Sequence, residues 1–321
     1  MKLFALNTTA AFGAQIARAL EMPLARHEER EFEDGEHKAR PLEDVAGESV
    51  YVIQSLHGGP QESANDKLCR LLFFVGALKD AGAAHVTAIV PYLCYARKDR
   101  RTKPNDPVTT RYVAALFEAA GTDAIVTMDA HNVVALENAF RRVSVNLTAA
   151  PLFVDFAHGL GGETLCVVSP DAGGAKRAEL FRLALESRLG RPVGSAFAEK
   201  YRSAGVVSGD LWAGDVDGRT ALVIDDMLST GGTLLRTAKA AKARGARKVI
   251  AVVTHGLFMP GSAEAMADPA IDRVVITDTV PPFRLGSELH SRLTILPAAP
   301  LFAEAVGRLH ANRGLSDLLV Y

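Results

Sequence analysis

Three segments of the chain share one pattern, in which an alanine-rich helix end runs through a glycine into an apolar strand. They are residues 77–92, 115–131 and 240–256, with glycines at positions 82, 121 and 245. Helical spacing that gives way at a glycine to a short apolar run is typical of a helix followed by a buried strand. In each segment polar residues follow the strand, so the pattern predicts strands that end in side chains able to bind a ligand.

Four further apolar runs predict strands at residues 50–53, 165–168, 221–224 and 274–277. Strands and helices then alternate along most of the chain, which favours an α/β fold of mainly parallel sheets flanked by helices on both faces. In such folds, ligands bind at the carboxyl ends of the strands. The expected site residues are therefore the polar residues that follow the apolar runs.

The length of 321 residues leaves room for about two domains of ordinary size. We expect two similar α/β domains, an N-terminal one over residues 1–147 and a C-terminal one over residues 148–300. We expect residues 301–321 to form a C-terminal helix and tail that packs back on the N-terminal domain.

Composition narrows the classes of partner. Lys and Arg number 36 and Asp and Glu number 37, so no overall charge recruits nucleic acid or an anionic membrane. The N-terminus lacks a signal-type apolar region, and no apolar run reaches the length of a membrane span, so we expect a cytoplasmic protein. The three cysteines, Cys69, Cys94 and Cys166, lie far apart in apolar runs, and we expect all three in the core.

A pair of carboxylates and a loop of hydroxyl and glycine residues follow the apolar run 221–224. A helix is predicted over 233–244, so the loop lies at a helix N-terminus, where N–H groups and the helix dipole favour a phosphate. Adjacent carboxylates at a strand end raise the free energy of the folded chain, unless a ribose diol or a metal ion binds them. We interpret the segment as a sugar-phosphate site, against the alternative of an ordinary capped turn. Its residues are Asp225, Asp226, Ser229, Thr230, Gly231, Gly232 and Thr233.

A basic segment follows the strand that ends near Val90. Residues 97–103 hold five cations and one carboxylate, and Tyr92 and Tyr95 lie just upstream. One arginine can contact two phosphate oxygens at once, and tyrosines offer stacking faces, so the segment is suited to binding a polyphosphate. Taken alone, Lys98-Asp99-Arg100-Arg101 is also typical of a solvated loop.

The two segments resemble known motifs. The loop 225–233 is similar to the PRPP (phosphoribosyl diphosphate) loop of the type I phosphoribosyltransferase fold. Residues 91–101 resemble the P-Y-x-x-Y-A-R-Q-D-R-K motif of the ribose-phosphate diphosphokinase, or PRPP synthetase, family. Further resemblances to that family follow in order along nearly the whole chain: Phe32-Glu33-Asp34-Gly35-Glu36, Asp129-Ala130-His131, the Ser-Pro-Asp motif of residues 168–177, and Thr254-His255-Gly256-Leu257-Phe258.

This resemblance implies transfer of the diphosphoryl group of Mg-ATP to the 1-hydroxyl of ribose 5-phosphate, which gives PRPP and AMP. It implies Mg²⁺ as cofactor, with Mn²⁺ as the alternative, and a homo-oligomer built from dimers, up to a hexamer, with active sites at subunit interfaces. It assigns catalysis to Lys200 and Arg202, and metal binding to His131 and Asp171. It assigns ribose 5-phosphate to the loop residues given above and ATP to Phe32, Asp34, Glu36, Arg97, Lys98 and Asp99.

The chain departs from the family pattern at several positions. Lys98 replaces the usual Gln and adds a positive charge near the nucleotide, and Ser229 replaces an acidic residue. Residues 132–147 do not match the family signature. In many members this region helps form an allosteric site. Two kinds of alternative stay open. One is a non-catalytic regulatory homologue. The other is a related transferase, either a phosphoribosyltransferase that uses PRPP or a synthetase that acts on another pentose phosphate or nucleoside triphosphate.

Overall fold

A computed structural model describes residues 1–203 and 206–319, and the side chains of these residues apart from those of 199–210. The chain divides into two compact units. The first comprises Met1–Thr148 together with the C-terminal segment from Ala298, and the second comprises Ala149–Pro297.

The first unit is built on a five-stranded parallel sheet in the order β1-β4-β5-β6-β7. Its central strands are apolar and buried on both faces, as expected for a parallel sheet covered by helices. The elements up to residue 147 are β1 Lys2–Ala5, α1 Ala10–Ala19, β2 His27–Glu31, β3 His37–Pro41, β4 Ser49–Ile53, α2 Ala64–Asp80, β5 His85–Val90, α3 Thr109–Ala119, β6 Ala124–Met128, α4 Val133–Ala139 and β7 Val143–Leu147.

The second unit contains a seven-stranded sheet in the order β10-β9-β8-β11-β12-β13-β14. Its pairs are parallel except that β10 runs antiparallel to β9. The elements are α5 Ala150–His158, β8 Leu165–Ser169, α6 Ala175–Leu189, β9 Gly194–Ser203, β10 Val206–Gly214, β11 Thr220–Leu228, α7 Gly232–Ala243, β12 Lys248–Gly256, α8 Ser262–Ala267, β13 Arg273–Thr277 and β14 Leu293–Leu296. The predicted class, mainly parallel sheets flanked by helices, is confirmed.

Glycines end the helices of the recurring unit as the sequence predicts. Gly82, Gly121 and Gly245 follow α2, α3 and α7 with φ values of 86°, 97° and 86°. Residues with a Cβ are strained in this left-handed conformation, which is why glycine is favoured after a helix. Each glycine turns the chain from a helix into the next strand.

The C-terminal segment belongs to the first unit. It forms α9, Ala299–His310, which packs against α1 through an edge-to-face contact of Phe302 with Phe12, at 5.6 Å between ring centroids. Both rings are buried. The segment therefore completes the core of the unit that contains the chain's first 148 residues.

One expectation about the core is wrong. Cys94 and Cys166 are buried, but Cys69 is exposed. Cys69 lies on the solvent-facing side of α2, between the buried Leu68 and Arg70. A short apolar run does not show which face of a helix a residue occupies. No helix in the described part of the chain is long and apolar enough to span a membrane.

Candidate functional site

The carboxylate pair lies inside a strand. We expected the strand to end at Ile224, but β11 continues to Leu228, because Met227 and Leu228 still pair with β12. Asp225 and Asp226 therefore lie within the paired part of β11, near the carboxyl end of the sheet. Their side chains are 17% and 4% exposed. The strand fixes both carboxylates in a largely buried position.

Arg177, in the first turn of α6, lies beside both carboxylates. Its Nη1 is 3.7 Å from Oδ1 of Asp225 and 3.6 Å from Oδ1 of Asp226. Burial raises the pKa of Asp225, and the neighbouring Asp226 raises it further, while Arg177 opposes the rise. Two buried carboxylates beside one guanidinium favour a further positive charge or hydrogen-bond donor. A metal ion or the hydroxyls of a ribose would each meet that need.

The loop after β11 leads directly into α7. Its N-cap, Gly231, has a φ of 80°, and a Cβ added there would lie 2.8 Å from Cβ of Ala265. Only glycine satisfies both the backbone and the space at this position. Gly232 and Thr230 are exposed beside it. The first N–H groups of the helix therefore face an accessible loop, which is the arrangement that binds phosphate groups.

Asp171 follows β8, the parallel neighbour of β11, and so lies at the same edge of the sheet. Its Oδ1 accepts a hydrogen bond from N–H of Gly174 at 2.9 Å, and its carbonyl accepts one from Oγ of Ser169 at 2.8 Å. The side chain is exposed and positioned by this turn. The edge thus gathers three carboxylates of the second unit.

His131, the other expected metal residue, follows β6 in the first unit and is exposed. The two expected metal residues lie in different units. Within the described residues no group of three or more His, Cys, Asp or Glu side chains forms a metal cage. The donor chemistry still fits Mg²⁺, because this ion prefers oxygen ligands and is commonly held by one or two carboxylates together with substrate phosphates.

Phe32, Asp34 and Glu36 form the tip of the β2–β3 hairpin. N–H of Phe32 donates to the carbonyl of Glu36 at 2.8 Å, and N–H of Glu36 donates to Oδ1 of Asp34 at 3.0 Å. Gly35 takes the left-handed conformation that the turn requires, with a φ of 89°. All three side chains are exposed, so the tip offers an aromatic face and two carboxylates to a ligand.

The basic segment follows β5 as expected, but its charges are partly paired. Nζ of Lys98 lies 2.5 Å from Oδ2 of Asp106, and this contact lowers the pKa of Asp106. Asp99 accepts a hydrogen bond from Nδ2 of Asn132 at 2.6 Å. Arg97 is exposed. The positive charge expected from Lys98 is therefore balanced by Asp106, just beyond the segment, while Arg97 stays available to an anion.

Lys200 and Arg202, expected to act in catalysis, lie in β9. Their side chains are outside the described residues. Sequence reasoning missed Arg177 as a site residue, although it ends the Ser-Pro-Asp motif. Only the fold shows that the first turn of α6 lies against the end of β11.

The parallel sheet of the second unit, its buried carboxylate pair and its phosphate-type loop define a protein of the phosphoribosyltransferase-like class. Family models for the N-terminal domain of ribose phosphate pyrophosphokinase and for the phosphoribosyl synthetase-associated domain match residues 1–121 and 211–320. Pyrophosphokinase is a synonym of diphosphokinase.

Relatives of similar length have names from the same family. Ribose-phosphate pyrophosphokinase of Caldanaerobacter subterraneus is 36% identical over 99% of this chain and 97% of that protein. The enzyme of that name from Hyphomonas neptunium is 36% identical over 99% of both chains. The crystal structure of phosphoribosylpyrophosphate synthetase from Mycobacterium smegmatis superposes with a TM-score of 0.86 at 31% identity, covering 97% of this chain and 99% of that one. The chain belongs to the ribose-phosphate pyrophosphokinase family.

Proposed function

We propose that the protein transfers the diphosphoryl group of Mg-ATP to the 1-hydroxyl of ribose 5-phosphate, which gives PRPP and AMP. The observation that carries the proposal is the juxtaposition of Asp225 and Asp226 with the loop at the N-terminus of α7. One end of a ribose phosphate is an anion and the other carries hydroxyl donors, and this edge of the sheet offers a matching partner to each.

In this proposal the 5-phosphate accepts hydrogen bonds from the N–H groups and hydroxyls of residues 229–233. The ribose hydroxyls donate to Asp225 and Asp226, whose burial makes such donors valuable because few waters compete. Arg177 holds the two carboxylates together at the strand end. The 1-hydroxyl is thereby held in one orientation for attack.

ATP would bind at the hairpin tip and the basic segment. Phe32 would stack on the adenine, Glu36 would accept a hydrogen bond from its 6-amino group, and Arg97 would contact the phosphates. Asp34, Lys98 and Asp99 would complete this site. As the resemblance implies, the hairpin of one subunit would contact the nucleotide that is bound to a neighbouring subunit of a homo-oligomer.

Transfer forms a bond from the ribose 1-oxygen to the β-phosphorus and breaks the bond from that phosphorus to the α-phosphate oxygen, which leaves as AMP. The proton of the 1-hydroxyl is released to solvent. Negative charge grows on the transferring and leaving oxygens, and Lys200 and Arg202 would offset it. The resemblance assigns Asp171 and His131 to Mg²⁺, and the ion would supply further charge neutralisation.

The proposal is tested by measuring AMP and PRPP formed from ATP, ribose 5-phosphate and Mg²⁺. We expect wild-type activity, and a turnover about two or more orders of magnitude lower for Lys200→Ala at unchanged stability. Lys239→Ala is the matched control, because Lys239 is an exposed lysine on α7 that pairs with Asp268 at 2.9 Å. ATP binding without AMP formation would favour the regulatory homologue, and consumption of PRPP with a base would favour a phosphoribosyltransferase.

A further inference from the structure

The hairpin that bears Phe32, Asp34 and Glu36 is a separate two-stranded sheet. It consists of β2 and β3 and shares no hydrogen-bonded strand with the five-stranded sheet in the described residues. An isolated two-stranded hairpin is at best marginally stable in water. The placement of its tip therefore depends on what the hairpin packs against, which is α2.

Contacts to α2 fall on one face of the hairpin, since side chains alternate along a strand. Near the start of β2, the ring of His27 lies 5.6 Å from that of Phe74 between centroids. Opposite the end of β2, the ring of His37 stacks on Phe73 at 5.5 Å. The same face of β2 also carries residues 29 and 31, which are both glutamates, and Glu31 lies opposite His37.

Arg70 of α2 meets both glutamates. Its Nη1 lies 3.9 Å from Oε2 of Glu29 and its Nη2 lies 2.5 Å from Oε1 of Glu31, while Nε lies 3.1 Å from Oε1 of Glu62 before the helix. The Arg70 side chain is only 7% exposed. Glu31 directly precedes Phe32, so one buried guanidinium ties the last residue of β2 to the unit's main body.

The charges around Arg70 make it difficult to replace. Glu29 and Glu62 are largely buried, with side chains 5% and 11% exposed. Oε2 of Glu62 is buried without a hydrogen-bond partner among the described residues, and burial raises the pKa of Glu62 while Arg70 opposes the rise. Without the guanidinium these carboxylates would repel one another, and the strand that carries Glu29 and Glu31 could move away from the helix.

The opposite face of the hairpin is held differently. Glu28 pairs with Arg40 at 2.7 Å and with Lys38 at 3.5 Å, both on β3. These pairs join β2 to β3 but do not join the hairpin to α2. N–H of Asn7 also donates to Oε1 of Glu29 at 2.6 Å and joins the middle of β2 to the unit's main body. Arg70 adds the contact with Glu31, next to the tip, and does not itself belong to the tip.

We propose that Arg70 is a positioning residue for nucleotide binding, which holds the β2–β3 hairpin on α2 so that Phe32, Asp34 and Glu36 meet ATP. This inference rests on the proposed function. If loss of Arg70 leaves the tip correctly placed about one-tenth of the time, the apparent affinity for ATP falls by the same factor, about tenfold.

The test compares wild type with Arg70→Met in two measurements. We expect the KM for ATP to rise about tenfold, with kcat and the KM for ribose 5-phosphate changed less than about twofold, because only a binding element has moved. We also expect amide hydrogen exchange to accelerate in peptides covering residues 30–38. Arg182→Met is the matched control, since Arg182 pairs with Glu179 and Glu186 on its own helix, α6, and not with the hairpin.

Two further variants separate positioning from folding. Arg70→Met combined with Glu62→Met removes the buried carboxylate and should restore stability while the KM for ATP stays raised. Arg70→Lys keeps the charge but cannot reach three carboxylates at once, and should give an intermediate KM. Recovery of the wild-type KM in the double variant, or unchanged exchange at residues 30–38 in Arg70→Met, would overturn the proposal. A wild type that forms no AMP would refute the proposed function alone, because the exchange measurement still tests the hairpin.

Discussion

Asp225→Asn should change how the stability of the second unit depends on pH. Burial, with Asp226 alongside, raises the pKa of Asp225 from 3.8 to about 8. Between these values the folded protein holds a proton that the unfolded chain has lost, so wild-type stability falls as pH rises. One proton corresponds to about 1.4 kcal/mol per pH unit, or at most about 2.7 kcal/mol between pH 5 and 7. Asparagine keeps the shape of the side chain without the charge and removes this dependence.

The assay is urea unfolding of wild type and variant at pH 5, 6 and 7. Trp212 is the single tryptophan of the chain and lies in β10, so its fluorescence reports on the second unit. The difference in unfolding free energy between variant and wild type should grow with pH, because contributions from groups away from the Asp225–Asp226 pair cancel. Asp155→Asn, at an exposed carboxylate on α5, is the matched control and should behave as wild type. A difference that stays constant from pH 5 to 7 would refute the reasoning about Asp225.

Two other variants test the loops that should bind substrate. Gly231→Ala should lower the stability of the second unit by more than Gly218→Ala in urea unfolding. Both glycines have positive φ, but only the Cβ at position 231 meets another atom, Ala265 Cβ, at 2.8 Å. Equal losses would show that backbone strain alone matters. Glu36→Gln should reduce the preference for ATP over GTP, measured as a ratio of kcat/KM, by about tenfold, the scale of one lost charge-assisted hydrogen bond. An unchanged ratio would remove Glu36 from adenine recognition.

Much of the fold follows from short-range patterns. Apolar runs bounded by glycines predicted the central strands of both sheets, and the left-handed glycines after α2, α3 and α7 end those helices as expected. Strands β1, β7, β9, β10 and β14 were not predicted. The β2–β3 hairpin was not predicted either, because its sequences His-Glu-Glu-Arg-Glu and His-Lys-Ala-Arg-Pro are mostly polar. Ion pairs and contacts to α2 stabilise it, and these are tertiary features that alternation of apolar residues cannot show.

The candidate site also has features that the sequence predicts and features that it does not. The hydroxyl and glycine loop at the start of α7 was predictable because its chemistry is contiguous in sequence. The extension of β11 through Asp225 and Asp226 was not, since aspartate is depleted in strands and only the pairing with β12 explains it. The pairing of Lys98 with Asp106 depends on how one loop folds back on itself. The approach of Arg177 to the carboxylates depends on how residues distant in sequence meet.

The most direct test of the central claim is ³¹P NMR of the products formed by the wild-type protein from ATP, ribose 5-phosphate and Mg²⁺. The account predicts AMP and PRPP in equal amounts, with a diphosphate on the ribose 1-oxygen, because attack occurs at the β-phosphorus. ADP with a ribose bisphosphate would show transfer of a single phosphoryl group and contradict the account. Unchanged ATP and ribose 5-phosphate would contradict catalysis by this chain.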